Sequence, residues 1–124
     1  YGLDKFHEFG CSLITVVNRE YCKKLIIVFP GQKHPEQYHK VKEETFYVLH
    51  GKVLLTLDGV TAEHGPGDVV TVELGVRHLF TSPTGAVIEE ISSTHFRDDS
   101  FYTDPKISEN KNRKTSMTYW IQRA

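Results

Sequence analysis

No run of apolar residues in this sequence approaches the ~20 needed to span a bilayer. Charge of one sign is also missing: 15 lysines and arginines face 16 aspartates and glutamates, a formal net charge of -1. The first absence argues against a membrane-spanning helix. The second removes the basic surface that nucleic acid or anionic lipid would require. Cysteine is scarce, with Cys11 and Cys22 alone, so a disulfide-stapled scaffold is excluded. A hairpin centred on Asn18-Arg19-Glu20 would set Cys22 against Val17 rather than Cys11, so the two thiols are expected to stay reduced. Tyr1 is not followed by a charged, apolar, cleavable leader, which sets the expectation of a cytoplasmic protein. The missing initial methionine fits a trimmed chain or a piece of a longer one. Helical signals are few as well. Turn residues interrupt the chain so often that a helix of ordinary length has almost nowhere to start, against a parallel α/β fold.

What is present is a series of short, β-branched, turn-bounded runs. The 124 residues, 39% hydrophobic and 25% charged, fit one domain over 1–124 with a core at about 11–92. Strands are expected at 11–17, 23–29, 44–50, 52–57, 60–63, 69–72, 76–81 and 86–92. The run at 23–29 (KKLIIVF) is apolar on both faces at its centre. Pro30-Gly31, Gly51, Asp58-Gly59, Gly65-Pro66-Gly67-Asp68, Leu74-Gly75 and 82–85 supply the turns, Asp58-Gly59 being a strong hairpin signal. This spacing predicts an all-β sandwich or barrel. An N-terminal arm would tuck Phe6 and Phe9 against it. After Ser93 the sequence turns polar with scattered aromatics, fitting an arm laid across the domain or across a partner subunit.

The chemistry concentrates in residues 30–51, PGQKHPEQYHKVKEETFYVLHG. Gln37 and His39 are two apart, so an extended chain puts them on one face. Glu44 opens the next strand. If it points inward, so do Phe46 and Val48, while Thr45, Tyr47 and Leu49 point away. Strand parity and the distance to Gly51 favour Glu44 over Glu43, which is left solvated. Val76, His78 and Phe80 share a face of a later strand. Imidazole, amide oxygen and carboxylate are groups that bind a transition metal together. His34 stands either at the pocket mouth or in an exposed loop. Lys42 is either a solvated loop lysine or a cation facing the substrate. One of Glu89 and Glu90 must face the interior, and parity does not choose between them. A buried carboxylate is costly unless paired, which makes the inward one a candidate base.

Gly31, Gln37, His39, Glu44 and Gly51 stand at a spacing similar to the first motif of cupins, and Pro66-Gly67-Asp68 followed by His78 resembles the second. The resemblance implies a small antiparallel barrel, or jelly roll, of two packed sheets. It also implies a divalent metal held by Gln37, His39, Glu44 and His78. Cupins usually carry histidine at the position of Gln37. An amide oxygen is a weaker and harder donor than imidazole, which tilts the site towards manganese or ferrous iron. Zinc or nickel can still be present after purification because they bind more tightly. The stretch GQKHPEQYHKVKEE is further similar to D-lyxose ketol-isomerase relatives, and EEISSTHFRDDSFYTD resembles the strand end and tail of that group. Similar cupin domains also stand at the C-terminus of sialic-acid-synthase-like proteins.

The resemblance implies a metal-dependent aldose–ketose isomerase or epimerase acting on a sugar or sugar acid. Glu90, favoured over Glu89 by the resemblance, or Glu44 would move the proton. Lys42 would steady the developing oxyanion, and His34, Phe46 and Phe80 would line the substrate. The alternative is a non-catalytic sugar-binding or regulatory domain of a surface-carbohydrate synthase. A non-haem iron oxygenase fits the ligand types, but no oxidisable substrate is indicated. A homodimer is expected.

Overall fold

The computed structural model describes residues 11–96 and 98–109, together with the strand at 116–119. Eleven strands and one short helix are described among these residues: β1 (Ser12–Asn18), β2 (Tyr21–Val28), β3 (Lys33–Tyr38), β4 (Glu44–Gly51), β5 (Val53–Leu57), β6 (Val60–His64), β7 (Val69–Val72), β8 (His78–Thr81), β9 (Ala86–Ser93), β10 (Phe101–Tyr102), α1 (Pro105–Ser108) and β11 (Ser116–Tyr119). They form two sheets, ordered β11-β1-β2-β9-β4-β7 and β10-β3-β8-β5-β6. Apart from the parallel β1–β11 pair, every neighbour is antiparallel. The expected all-β architecture of two packed sheets is what the chain forms.

Parity decides which side chains meet between the sheets. Glu44, Phe46 and Val48 are buried on β4 while Tyr47 and Leu49 are exposed, as period-two alternation requires. Ile26, Val28, Phe46, Val48, Val53, Leu55, Val72, Phe80, Ala86 and Ile88 form the apolar core. The β5–β6 hairpin closes over Asp58 (φ 45) and Gly59 (φ 83), with Leu57 opposite Val60, the left-handed pair a two-residue loop demands. Gly51 has φ 81, and a Cβ there would run into the Gly85 carbonyl oxygen. Only glycine meets both conditions.

Several details differ from the sequence reading. β2 begins at Tyr21, and its buried positions alternate as Cys22, Lys24, Ile26 and Val28. Leu25 and Ile27 are half-buried on its other face, so the centre is apolar on both faces as expected, while nearer its start Lys24 points inward. Residues 33–38 form a strand, so His34 lies in a sheet and is buried rather than in an exposed loop. β8 starts at His78, not Val76. A register shift between Thr15 and Val17 places Cys22 opposite Asn18 instead of Val17. Both cysteines are free and buried; burial above all pushes the Cys11 thiol up to about 12.

The polar tail packs on its own domain. Phe101 and Tyr102 add β10 to the edge of β3, and Ser116–Tyr119 pairs with β1. Asp104 caps α1 by accepting from the Lys106 N–H, with Pro105 in the first turn. The proposed N-terminal arm with Phe6 and Phe9, and Trp120, lie outside the described residues.

Candidate functional site

Three strands and the residue after one of them bring polar side chains to one end of the space between the sheets. β4 contributes Glu44 at its first residue, β8 His78 at its first, β3 Gln37 near its end, and His39 follows directly. Gln37 opposes His78 in the register. All four are buried, Glu44 and His78 at 2% and 0% exposure. Glu44 Oε1 lies 2.7 Å from His78 Nε2 and 3.3 Å from His39 Nε2.

The hydrogen bonds on the far sides of the rings explain what these atoms can do. His39 Nδ1 donates to the Asp99 carbonyl at 2.7 Å, and His78 Nδ1 donates to the Val76 carbonyl at 3.0 Å. A neutral ring that donates from Nδ1 presents a bare lone pair at Nε2. Gln37 Nε2 donates to His34 Nε2 at 3.0 Å, which turns its oxygen the other way. Gln37 Oε1, His39 Nε2, Glu44 Oε1 and His78 Nε2 all lack an aligned hydrogen-bond partner. Donor atoms of His39, Glu44 and His78 lie within 4.8 Å of one another. Converging buried acceptors repel unless a proton or a cation lies between them. The donor set fits a divalent cation, with each histidine oriented through its second nitrogen as metal-binding histidines are.

With protons rather than a cation between these atoms, burial would raise the Glu44 carboxyl, but hydrogen bonds donated by His39 and His78 and the charge of Lys42 together hold it well below its usual range. His78 is raised: burial opposes its charge, and Glu44 outweighs burial.

Beside this cluster lies a second one. Lys42 Nζ is 3.3 Å from Glu44 Oε2 and 3.3 Å from Glu90 Oε2. Lys42 is 4% exposed, so the solvated-loop alternative is set aside. Burial lowers its pKa, yet Glu90 and Glu44 outweigh this and raise it. Glu90 is the inward member of its pair, whereas Glu89 reaches Lys23 on the outer face at 3.4 Å. Burial, followed by the Glu44 charge, raises the Glu90 carboxyl against the pull of Lys42 and Lys24.

His34 stacks on Phe80 with ring centroids 4.6 Å apart, and Phe46 tilts against His78 at 6.2 Å. The three rings form the boundary between the polar end and the apolar core. Phe46 and Phe80 also line a small apolar cavity with Val48, Val53, Leu55 and Ile88, away from the carboxylates.

Two residues were missed in the sequence. Asp99 clamps the loop between β3 and β4: its carboxylate accepts from the N–H groups of Lys40, Val41 and Lys42 at 2.9, 3.1 and 2.8 Å. These bonds overcome burial and hold its pKa below the ordinary value. One residue thereby places Lys42 through its carboxylate and fixes the His39 tautomer through its carbonyl. No local pattern announces that role. Lys24, at 2% exposure, did have a signal, the alternation Cys22, Lys24, Ile26, Val28. Burial depresses its pKa against the pull of Glu90.

The comparisons agree with this picture. The Cupin domain family matches residues 24–91. A D-lyxose/D-mannose isomerase from Thermosediminibacter oceani is 30% identical, the match covering 86% of this chain and 75% of that protein. A D-lyxose ketol-isomerase from Cohnella laeviribosi is 31% identical over the same shares. A solved structure from Klebsiella pneumoniae with a double-stranded beta-helix domain matches at TM-score 0.69 and 14% identity, over 77% of this chain and 85% of that one, a likeness of fold alone. The family match spans every inward polar residue named above from Lys24 to Glu90, and two curated relatives match most of the chain: the protein belongs to the cupin family.

Proposed function

We propose that this cupin is a metal-dependent aldose–ketose isomerase acting on an open-chain sugar. The observation that carries the reading is the adjacency of two clusters. Buried, unpartnered acceptors on Gln37, His39, Glu44 and His78 lie next to a buried Lys42–Glu90 pair. The names of the curated relatives support the same class of reaction.

His39, Glu44 and His78 would hold the metal, with Gln37 Oε1 as a further oxygen donor. When bound, a divalent ion supplies Lewis-acid polarisation of the substrate carbonyl and its adjacent hydroxyl. Isomerisation moves one carbon-bound proton from C2 to C1 and one hydroxyl proton from O2 to O1. Glu90 takes the carbon-bound proton on a carboxylate oxygen and returns it to the neighbouring carbon. Its raised pKa suits that task, because a base nearer neutrality both accepts and releases a proton. Lys42, shared between the two carboxylates, donates a hydrogen bond to the oxygen that gains charge as the enediol forms. Phe46, Phe80 and His34 exclude water beneath the site.

The test is exchange of the substrate C2 proton with deuterated water, across pentoses, hexoses and amino sugars, with manganese or ferrous iron added. Wild type should exchange and interconvert at least one sugar, and His78→Ala should lose both exchange and bound metal by elemental analysis. A metal-loaded wild type that binds a sugar but exchanges none would replace the isomerase with a sugar-binding domain.

A further inference from the structure

Thr15 on β1, Lys24 on β2, Glu90 on β9 and Phe46 on β4 form one row across the inner face of the six-stranded sheet. Each directly opposes the next in the register. Directly opposed residues of antiparallel strands project to the same side, with Cβ atoms ~5 Å apart. In the neighbouring row Ser92 stands between Cys22 and Glu44. Polar side chains therefore continue sideways from the metal-fit cluster, through Glu90, to Lys24 and Thr15.

At the far end of this row the protein supplies no hydrogen-bond partner to Thr15 and no ion pair to Lys24 among the described residues. Thr15 is 1% exposed and its hydroxyl has no hydrogen-bond partner. Lys24 is 2% exposed. Among the described residues no carboxylate lies at ion-pair distance from its ammonium, and no hydrogen bond to it is formed; Glu90 attracts it only from farther away. Both interior carboxylates are already engaged by Lys42 at 3.3 Å. His95 Nδ1 is likewise buried without a partner. Burial, then the charges of Lys24 and Lys42, depress that ring to about 4. Burying a hydroxyl without a partner is costly, and a ligand acceptor would recover that cost and pair with the Lys24 ammonium. Once a divalent cation takes Glu44, positive charge exceeds negative charge at this end of the interior.

We propose that Lys24 and Thr15 form a subsite for an oxyanion, a carboxylate or a phosphate, carried by the end of the open-chain sugar remote from its carbonyl. β2 lies two strands from β4, about 10 Å at the usual strand spacing. An extended pentose or hexose with its carbonyl end at Glu44 covers a distance of that order. The substrate class is then a sugar acid or sugar phosphate rather than a neutral sugar. The inference deepens the isomerase reading and rests on it only for the position of the carbonyl end.

The experiment is binding calorimetry on the full, metal-loaded chain with three probes: a uronate, whose carboxylate is remote from its carbonyl, a pentose 5-phosphate and the neutral pentitol. Wild type should bind one of the anionic probes at least about 10-fold more tightly than the pentitol, and the tighter of the two identifies the anion. Lys24→Met should weaken that anion by about 10- to 100-fold, the loss of one charge-assisted hydrogen bond, with pentitol binding and metal content unchanged. Lys24→Arg should restore part of the loss. Thr15→Val, which keeps shape and removes only the hydroxyl, should weaken the anion several-fold, and it decides the matter if Lys24→Met fails to fold. A wild type that prefers the pentitol, or variants that weaken all three probes equally, overturn the subsite and make Lys24 a counter-charge for Glu90. Proton exchange on the same samples separates the two ideas. Anion preference without exchange keeps the subsite and removes the isomerase; exchange of neutral pentoses without anion preference does the reverse.

Discussion

The two ends of the barrel interior are built from the same strands and do opposite work. Reading β2 inward gives Cys22 and Lys24, then Ile26 and Val28; β4 gives Glu44, then Phe46 and Val48; β8 gives His78, then Phe80; β9 gives Ala86 and Ile88, then Glu90 and Ser92. The antiparallel register aligns the polar ends of β2, β9 and β4, and β8 in the facing sheet brings His78 to the same end. At the apolar end, buried side chains meet only one another, and their removal from water stabilises the fold. At the polar end, acceptors and cations are buried with incomplete partners, which costs stability and leaves groups free to act on a ligand. The candidate site thus sits on the same strands that hold the core.

That division can be tested from its strongest consequence downwards. Glu90→Gln keeps the shape of the side chain and removes its basicity. Turnover should fall by roughly 10²–10⁴-fold, the range for losing a general base, with bound metal and melting temperature near wild type in a paired assay. A loss of metal would mean Glu90 holds the cation and not the proton. Ile88→Ala addresses the other end. It should cost about 2–5 kcal/mol of stability by denaturant titration, while metal content per folded molecule stays at the wild-type value. If Ile88→Ala instead strips the metal from a folded chain, the two ends are not independent.

Asp99→Ala sharpens the boundary, because Asp99 lies outside both clusters yet holds His39 and Lys42. The substitution keeps the carbonyl that accepts from His39 and removes the carboxylate that fixes the loop, so metal affinity should drop by about 10-fold, the lower end for supporting partners of metal ligands. A titration with unchanged affinity would reduce the clamp to loop packing. The smallest effect concerns pH. His34 is held down to about 3 by burial, with His78 adding to it, so the folded state takes up no proton there as pH falls from 6.5. The unfolded chain does. More protons bound in the unfolded state means stability falls on acidification across that window and is fully present above it. His34→Gln should make the stability–pH slope shallower between 6.5 and 3, and an unchanged slope would assign it to other groups such as His95.

Much of this was legible from residue order. The Asp58-Gly59 hairpin, the turn-bounded strands and the inward parity of Glu44, Phe46 and Val48 follow from local rules, since alternation has a fixed period of two. The choice of Glu44 over Glu43 follows likewise. Other features were hidden because they depend on which strands become neighbours. Lys42 is buried only because Glu90 arrives beside it from a strand far along the chain. Asp99 acts through residues about sixty positions earlier in the sequence. Lys24 faces a polar interior only because β9 lies between β2 and β4.

His34 shows where local rules stop. It is three residues from Gln37, so simple alternation would send the two side chains to opposite faces. The register between β3 and β8 shifts between these residues, at Pro35 and Glu36, and both His34 and Gln37 are buried. A proline has no N–H to give the ladder, and a bulge is where a strand tolerates one. The residue order alone determined an all-β chain with a compact set of candidate metal-ligating side chains, because turn chemistry and strand parity are properties of neighbours in sequence. Tertiary structure decided which cation meets which carboxylate and which histidine turns inward, because register shifts and strand order bring distant residues together.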